Sequence, residues 1–338
     1  MTSDATSDAC QYTLFLSDSD VATVLDWTAA VKALREAYAA DITPEAVPPR
    51  AMARGDGVWL RSMTAVSARG GHLGAKLISA SPKTRRVSYL VALFEDQTMA
   101  LDALIDGNRI TGIRTAATSA MAAEALAPAR PVSVAVLGTG FEARNHIRAL
   151  GAVCTIATAR VYSPTPANRQ RFAEEVRAES GLDITAAESA QVAVTGADVI
   201  ICAARSHDES PVLHAEWLSP AATVVSVGST LPEQRELDVE VFRRAGLIVA
   251  DVPEEAAHDT GDLLAAAAAG IDVSAKLASL GDLIGGAVRV RQDPQSIVVY
   301  KSVGSALQDI VVAEQILASA RRRGLGTRYP NTIVPITK

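Results

Sequence analysis

The chain has 338 residues, of which 49% are hydrophobic and only 4% aromatic, and its formal net charge at pH 7 is -6. This length favours two domains, and the composition excludes an intrinsically disordered chain and predicts mainly aliphatic cores. The acidic balance argues against a nucleic-acid partner. The first ten residues, MTSDATSDAC, are polar and acidic, and no run of about 18 apolar residues occurs. We therefore expect a cytoplasmic protein without a membrane partner.

The first part of the chain predicts one helix followed by a meander of strands. From Val21 to Ala40 the apolar residues recur at helical spacing, and PEAVPPR ends the pattern. Between Val58 and Leu104, short apolar runs are separated by glycine, proline or charged residues; they are VWLRSM, LGAKLIS, YLVALF and MALDALI. The sequence thus predicts an N-terminal α+β domain with an antiparallel sheet.

A second domain is predicted to begin after residue 114. The stretch TAATSAMAAEAL is a strong helix former, which places Arg114 and Thr115 at the start of a helix. Five later strand-like runs alternate with helical segments, as in a parallel doubly wound sheet of the Rossmann type; they are VSVAVL, ARVYS, ADVIICA, TVVSVG and GLIVAD. A long amphipathic helix from Ser305 to Arg323 is expected to return to the first domain. The predicted domains are residues 1–114 with 305–338, and residues 115–304.

The segment VSVAVLGTGFEA carries a dinucleotide-binding fingerprint. Gly138, Gly140 and Ala143 fit the pattern G-x-G-x-x-G/A between a strand and a helix. The first glycine permits a tight turn, the second allows the backbone to approach a pyrophosphate, and the small third residue lets helix and strand pack closely. We expect the whole turn, including Thr139, Phe141 and Glu142, to contact the cofactor at the helix N-terminus.

The end of the second strand predicts which nicotinamide nucleotide binds. NAD-binding domains carry an acidic residue there that accepts a hydrogen bond from the ribose 2′-hydroxyl. No Asp or Glu occurs from Arg144 to Ala173, and Ser163, Thr165 and Arg169 stand in that region. Hydroxyls and a guanidinium can bind a 2′-phosphate, so NADPH is the preferred cofactor, with NADH as the alternative. Arg169 could instead be a solvent-facing helix residue.

The sequence predicts no metal site and no disulfide. The histidines do not cluster and lack metal-binding spacing, so we interpret them as surface or loop residues; they are His72, His146, His207, His214 and His258. The cysteines Cys10, Cys154 and Cys202 are far apart, which indicates reduced and mostly buried thiols.

Several stretches together resemble the ornithine cyclodeaminase/mu-crystallin family. RITGIRTAATSAMA is followed closely by VAVLGTGFEA, and further similar stretches occur along nearly the whole chain; they are PPRAMA, LGAKLISASP, YLVALFE, VGSTLPEQRELD and YKSVGSALQDIVVAEQI. The family includes cyclodeaminases, alanine dehydrogenases, ketimine and Δ1-pyrroline-2-carboxylate reductases, opine-type dehydrogenases and mu-crystallin. The resemblance implies a homodimer formed through the N-terminal antiparallel sheet, with a small amino or imino acid held between that domain and the nucleotide domain.

The resemblance also implies roles for three cationic residues. Arg50 in PPR, Lys76 in LGAKL and Arg114 in GIRTAA match the family's substrate-carboxylate and acid/base cluster. A guanidinium is a planar fork suited to a carboxylate. From the residues alone, Lys76 could equally be an outward-facing charge on an edge strand.

Other positions correspond to the family's cofactor site. These are Thr115, Val227 and Gly228, and the segment Ser302, Val303 and Gly304, which resembles the stretch beside the nicotinamide. For Asp309 in ALQD, a site role and the role of a helix residue facing a partner are equally supported.

Thr230 departs from the cyclodeaminase pattern. Cyclodeaminases carry an aspartate two residues after the first glycine of this stretch, where the carboxylate acts on the substrate amine and on ring closure. A threonine hydroxyl cannot serve as a carboxylate base near neutral pH, although Thr230 could also simply close a turn before Pro232. We predict an NAD(P)H-dependent oxidoreductase that reduces small α-imino acids or runs the reverse amino acid dehydrogenation. The alternatives are ornithine cyclodeamination and a mu-crystallin-like NADPH- and ligand-binding protein.

Overall fold

The structure is a computed structural model that describes residues 12–291, 293, 295–330 and 333–337. The chain separates into two compact units, residues 1–114 with 305–338, and residues 115–304. Cys10 lies outside the described residues.

The first unit contains a seven-stranded sheet. Its strands are β1 (Tyr12–Leu16), β2 (Ala51–Gly55), β3 (Val58–Val66), β4 (His72–Ser81), β5 (Arg86–Glu95), β6 (Leu101–Asp106) and β15 (Thr327–Pro330). The strand order is β15-β1-β6-β5-β4-β3-β2. All neighbouring strands are antiparallel except β1 and β6, which are parallel. The four strands predicted from the apolar runs are therefore the centre of this sheet, and β4 is an interior strand.

Three helices of the first unit are α1 (Asp18–Val24), α2 (Trp27–Tyr38) and α11 (Ala306–Arg323). The single helix expected from Val21 to Ala40 is wrong, because Leu25 is extended and the Asp26 carboxylate accepts the Ala29 N–H to start a new helix. Helix α11 packs on α2 and on β3, β4 and β5. The close packing of α11 explains why residue 74 in β4 is a glycine, because a Cβ there would lie 2.5 Å from Ile310 Cδ1.

Helix α3 (Gly107–Leu126) begins earlier than the sequence suggests. The Asp106 carboxylate accepts the Asn108 N–H at 2.9 Å, as a helix-capping acid does. Arg114 therefore lies inside a helix, and the prediction that it stands at the helix start is wrong. The division between the two compact units falls at residues 114 and 115, within this helix.

The second unit is built on an eight-stranded parallel sheet. Its strands are β7 (Val132–Leu137), β8 (Ile156–Tyr162), β9 (Ile184–Ala186), β10 (Val199–Cys202), β11 (Thr223–Ser226), β12 (Ala245–Ala250), β13 (Leu277–Ser279) and β14 (Ile297–Lys301). The order is β13-β12-β14-β11-β10-β7-β8-β9. Its helices are α4 (Phe141–Val153), α5 (Pro166–Ser180), α6 (Ala190–Val194), α7 (Val239–Arg244), α8 (Pro253–Asp259), α9 (Gly261–Ala268) and α10 (Leu280–Ile284).

The strand order of this sheet determines where a ligand can bind. The run β9-β8-β7-β10-β11 is the 3-2-1-4-5 order of a dinucleotide-binding sheet. Successive strands are therefore added in one direction up to β9 and in the other direction from β10, which creates a crevice for a ligand at the carboxyl ends of β7 and β10. The central strands are buried on both faces, which explains their continuous apolar runs. The predicted fold class, a Rossmann-type domain with an N-terminal antiparallel-sheet domain, is confirmed. Within the described residues, no helix is both long and apolar enough to cross a bilayer.

Candidate functional site

Lys76 points from β4 into the interior of the first unit. Along β4 the residues at 74, 76 and 78 are the buried ones, which is the alternation of a strand with one face covered. The Lys76 side chain is 0% exposed. Its Nζ also lies 5.4 Å from the centre of the Tyr89 ring. The alternative that Lys76 is an outward-facing edge charge is therefore wrong.

Asp309 on α11 joins two of the predicted cationic residues. Lys76 Nζ donates a hydrogen bond to Asp309 Oδ1 at 2.8 Å, and Arg114 Nε lies 3.3 Å from the same oxygen. The Asp309 carboxylate is also 0% exposed. Asp309 thus faces two cationic partners inside the first unit, and its role in the site, which the sequence left open, stays a prediction.

Gln308 extends this buried cluster toward α2. Arg114 Nη1 donates to Gln308 Oε1 at 3.0 Å, and Gln308 Nε2 donates to the Tyr38 hydroxyl at 2.9 Å. Gln308 is fully buried, and Arg114 is 8% exposed. The planar guanidinium is thus held in one orientation by two neighbouring residues of α11. Gln308 and Tyr38 could not be recognised as site residues from the sequence, because nothing local indicates that their side chains meet.

Arg50 lies directly before β2 and is half-buried. The register pairs Ala51 with Ser62, and Ser62 with Leu77. Two strand spacings, about 10 Å, therefore separate the backbone at Arg50 from that at Lys76. The structure brings Lys76 and Arg114 onto one carboxylate, and it places Arg50 two strands away.

The glycine turn after β7 has the geometry that a dinucleotide requires. Gly138 has φ +116°, and a Cβ there would lie 2.6 Å from the Ala203 carbonyl oxygen after β10. Gly140 precedes α4, and a Cβ there would have no atom within 4 Å. Ala143 is fully buried beneath the turn. The first glycine is thus required by the fold, whereas the second leaves open space above the helix N-terminus for a pyrophosphate.

The remaining residues of this turn are accessible. Thr139 is partly exposed, Phe141 is exposed, and Glu142 lies in the first turn of α4. Thr115, predicted to contact the cofactor as well, is a buried residue of α3. The open space is therefore at Gly140 and the exposed residues around it, and the cofactor contact of the buried Thr115 stays a prediction.

The end of β8 presents a hydroxyl and an arginine. Arg169 Nη1 donates to the Ser163 carbonyl oxygen at 2.9 Å, and the guanidinium lies 5.4 Å from the centre of the Tyr162 ring. Thr165 is the N-cap residue of α5, and its side chain makes no capping hydrogen bond. The three residues predicted to contact a 2′-phosphate therefore occur together at the tip of this strand.

The loop after β11 contains Val227, Gly228 and Thr230. Gly228 N–H donates to Glu236 Oε2 at 3.0 Å. The Thr230 N–H donates to Gln234 Oε1 at 2.9 Å, and the Thr230 hydroxyl lies 3.3 Å from the same oxygen. Thr230 is therefore held within its own turn by Gln234, and the position carries no acid.

Asp251 fixes the segment after β14. Its carboxylate accepts the N–H groups of Val303 and Gly304, each at 2.8 Å, and the Ser302 hydroxyl at 3.2 Å. Asp251 was not among the residues predicted from the sequence. A signal was present, because Asp251 directly follows the apolar run GLIVA, at the carboxyl end of β12, where functional residues of parallel sheets collect.

Two histidines differ from their prediction as surface or loop residues. His146 is buried in α4, where Nδ1 lies 2.7 Å from the Glu142 carbonyl oxygen and Nε2 lies 3.0 Å from the Ser119 hydroxyl. His72 lies between Asp102 and Glu314, 2.8 Å and 3.2 Å away. The acids beside His72 and the Ser119 hydroxyl beside His146 are remote in sequence, so spacing could not indicate them. Glu142 is four residues from His146, but its contact is through the backbone carbonyl, which carries no sequence pattern. Among the described residues, no group of three His, Cys, Asp or Glu side chains could hold a metal ion.

Known proteins resemble the chain in both sequence and structure. It is 36% identical to the ketimine reductase mu-crystallin of Mus musculus over 229 residues, which cover 68% of each chain. It is 30% identical to a Δ1-pyrroline-2-carboxylate reductase of Bacillus cereus over 262 residues, 76% of this chain and 80% of that one.

Among solved structures, the Δ1-pyrroline-2-carboxylate reductase of Thermococcus litoralis, in complex with NADH and L-proline, superposes with a TM-score of 0.85. It is 27% identical and covers 93% of this chain and 99% of its own. These relatives confirm the predicted class, a nicotinamide-dependent oxidoreductase acting on C–N bonds. Residues 12–324 match the model of the ornithine cyclodeaminase/mu-crystallin family, and the chain belongs to that family.

Proposed function

We propose that the protein is an NADPH-preferring reductase of small α-imino acids, which also catalyses the reverse oxidation of the amino acid. The observation that carries the proposal is the buried cluster in which Lys76 and Arg114 share the Asp309 carboxylate. Two cationic side chains around one acid suit a substrate that carries both a carboxylate and a nitrogen. The relatives named as ketimine and Δ1-pyrroline-2-carboxylate reductases act on that kind of compound.

Arg114 and Arg50 bind the substrate carboxylate in this proposal. Gln308 and Asp309 already orient the Arg114 guanidinium, so the side chain loses little conformational entropy when a carboxylate binds. Arg50 supplies a second positive charge from the edge of the same sheet. Fixing the carboxylate fixes the adjacent C=N carbon, which is the gain expected from orientation.

Lys76 handles the nitrogen end of the substrate. Its ammonium donates to Asp309 Oδ1, so Asp309 holds the proton-carrying group in one position. From there Lys76 supplies the proton that keeps the imine nitrogen positively charged, which makes the C=N carbon a better acceptor. The Asp309 carboxylate lies beside the Lys76 ammonium and compensates its positive charge in this buried setting.

The second unit binds the nicotinamide cofactor through Gly138 to Ala143 and through the segments 227–228 and 302–304. When bound, the reduced nicotinamide supplies the hydride that reduces the C=N carbon. Thr115 is proposed to contact the same cofactor. Asp251 keeps the backbone of residues 303 and 304 in one conformation, which gives the ring a rigid neighbour.

The preference for NADPH rests on the residues after β8. The Thr165 side chain makes no capping hydrogen bond, the buried Ser163 hydroxyl lies 3.4 Å from the Thr165 carbonyl oxygen, and Arg169 brings a cation beside them. The absence of an acid from Arg144 to Ala173 removes the group that would repel a 2′-phosphate. NADH is the alternative cofactor.

Thr230 argues against cyclodeamination. Incubation of the protein with ornithine and NAD should release neither ammonia nor proline, because Thr230 provides no carboxylate base. Release of both, without net change in nicotinamide absorbance, would establish cyclodeamination instead.

The decisive test of the proposed function follows NADPH absorbance with a panel of imines. The panel contains Δ1-pyrroline-2-carboxylate, Δ1-piperideine-2-carboxylate, and pyruvate mixed with amines. We expect NADPH oxidation with at least one cyclic imine. Tight NADPH binding with no oxidation across the panel would favour the binding-protein alternative.

The protein is also proposed to act as a homodimer formed by the first unit. Strand β3 exposes Val58, Leu60 and Val66 on one face of the sheet, and an apolar row of this kind is typical of a covered surface. Light scattering after gel filtration tests this, and a monomer at micromolar concentration would contradict it. A cytoplasmic location stays a prediction from the sequence.

A further inference from the structure

A fully buried acid, Glu236, lies directly beneath the loop after β11. Its Oε2 accepts the Gly228 N–H at 3.0 Å and the Ser226 hydroxyl at 2.7 Å. The contact with Gly228 is close, because a Cβ on that residue would lie 2.5 Å from Glu236 Oε1. The carboxylate therefore fits against a glycine backbone and holds the first residues of this loop.

The surroundings of Glu236 contain both signs of charge. Lys301 at the end of β14 donates to Ser226 Oγ at 2.8 Å and to Asp262 Oδ2 at 3.2 Å. Asp262 on α9 accepts the backbone N–H of Glu236 at 2.8 Å, and the Arg235 Nε lies 3.4 Å from the same carboxylate oxygen. Lys301 and Asp262 are both 0% exposed. A hydrogen-bonded chain thus runs from Lys301 through Ser226 to Glu236.

Two further titratable groups face this cluster from β10 and the segment after it. Cys202 is fully buried. Burial is the main cause that raises the pKa of its thiol well above the usual range, and the negative charges of Glu236 and Asp262 add to this rise. Arg205 places its Cγ 3.2 Å from the Cβ position of Gly228, and its guanidinium lies 3.6 Å from Glu209. The cluster therefore joins the ends of β10, β11 and β14, where the cofactor is proposed to bind.

We propose that Glu236 is a positioning residue for the nicotinamide cofactor, and that its ionised carboxylate fixes the loop of residues 227–230 through the Gly228 N–H and the Ser226 hydroxyl. The inference rests on the proposed function, because it assigns this loop to the cofactor site. Glu236 itself contacts only protein groups in this role. A loop already held in one conformation loses less entropy when the cofactor binds, so ionisation of Glu236 increases cofactor affinity.

The charge state of Glu236 changes close to physiological pH. Burial raises its pKa to about 7; the charge of Lys301 opposes this rise and that of Asp262 adds to it, while the hydrogen bonds from Ser226 and Gly228 lower the pKa. Hydrogen bonds to a carboxylate are stronger than those to a neutral carboxylic acid. Affinity for the cofactor should therefore rise as the pH increases through about 7.

The test measures the Kd of NADPH and of NADH by nicotinamide fluorescence at pH 6 and pH 8.5. Glu236→Gln keeps the side-chain volume but cannot ionise. We expect this variant to bind about 10-fold more weakly than wild type at pH 8.5 and nearly as well at pH 6. Titration of the nucleotide phosphates is common to both proteins and cancels in the comparison.

Asp198→Asn is the matched control. Asp198 directly precedes β10, at the amino-terminal end of this strand and away from the carboxyl ends where Glu236 lies. There it accepts the N–H and hydroxyl of Ser133 and pairs with Arg130. The Asp198→Asn variant tests whether the loss of any hydrogen-bonded acid in this unit lowers the affinity for the cofactor. We expect its thermal midpoint to fall while both dissociation constants and their pH dependence remain those of wild type.

A second variant keeps the inference testable if Glu236→Gln does not fold. Ser226→Ala removes a hydrogen bond that lowers the pKa of Glu236, so the midpoint of the affinity change should move to higher pH. Equal loss of affinity at both pH values in Glu236→Gln, or an unmoved midpoint in Ser226→Ala, would overturn the positioning role alone. Failure of the wild type to bind either nucleotide would overturn the proposed function as well.

Discussion

Replacing His72 by glutamine removes a histidine that the fold keeps protonated at neutral pH. The ring lies between Asp102 and Glu314, and Asp102 also pairs with Arg321. Burial lowers the pKa of His72, but the hydrogen bonds and charges of the two acids outweigh this effect and raise the pKa from 6.5 to about 9. These residues connect β4, β6 and α11, so the protonated ring stabilises the packing of the first unit.

The pKa values determine the sign and size of the effect. Because the folded protein holds the proton more tightly than the unfolded chain, the stabilisation is fully present below pH 6.5 and is lost as the pH rises through about 9. The interval between these two values corresponds to about 3 kcal/mol. The difference in unfolding free energy between wild type and His72→Gln should therefore be about 3 kcal/mol larger at pH 6 than at pH 10.

Urea unfolding at fixed protein concentration measures this difference. The chain has three tryptophans, and Trp27 and Trp59 belong to the first unit while Trp217 belongs to the second. A Trp217→Phe background makes the fluorescence report on the first unit alone. His207→Gln, which alters an exposed histidine of the second unit, is the control for replacing a histidine outside the first unit. An equal His72→Gln effect at pH 6 and pH 10, or an NMR titration of His72 near 6.5, would refute the reasoning.

Three further predictions concern the proposed site. Lys76→Ala and Arg114→Ala should each lower kcat/KM for the imine by about 100-fold or more while the NADPH Kd stays unchanged, because their contacts are with substrate; weaker NADPH binding would contradict this. Arg169→Asp should shift the ratio of the NADPH and NADH dissociation constants toward NADH by about 10-fold or more, and an unchanged ratio removes Arg169 from the phosphate site. Gly138→Ala should destabilise the second unit by about 2 kcal/mol or more, because of its positive φ and its contact with Ala203. Gly140→Ala should keep the thermal midpoint of unfolding, because the space around Gly140 is open, and it should weaken nucleotide binding. Equal thermal midpoints for Gly138→Ala and Gly140→Ala would contradict this prediction.

The sequence predicted the features that depend on local pattern. The strand runs from Val58 onward and the Gly138 turn each follow from residues close together in the chain, where period and turn chemistry are informative. The boundaries were less accurate, since capping by Asp26 and by Asp106 determined where helices begin. Short edge strands such as β2 and β15 carried no pattern that distinguished them.

The partners of the site residues could not be predicted, because they are distant in sequence. Lys76 and Asp309 are 233 positions apart, and Asp251 and Gly304 are 53 apart. The register of the sheet and the position of α11 across the strands determine which side chains face one another. An apolar period identifies the buried face of a helix but does not indicate that an acid on this face meets a lysine.

The energetics of buried charge explain why the Lys76–Asp309 pair supports a functional rather than a structural role. Removing two charges from water costs several kcal/mol for each ion, and an apolar pair of similar volume often stabilises a fold as well or better. A fully buried ion pair is therefore poor evidence for a stabilising role. The presence of the Lys76–Asp309 pair is better explained by a site that needs both a proton carrier and an acid that orients it. The same argument indicates that Lys76→Ala leaves Asp309 with Arg114 as its one remaining ion-pair partner among the described residues, so the first unit should lose stability. The Rossmann-type unit should still bind nucleotide, and this separation of the two effects distinguishes loss of a substrate contact from general unfolding.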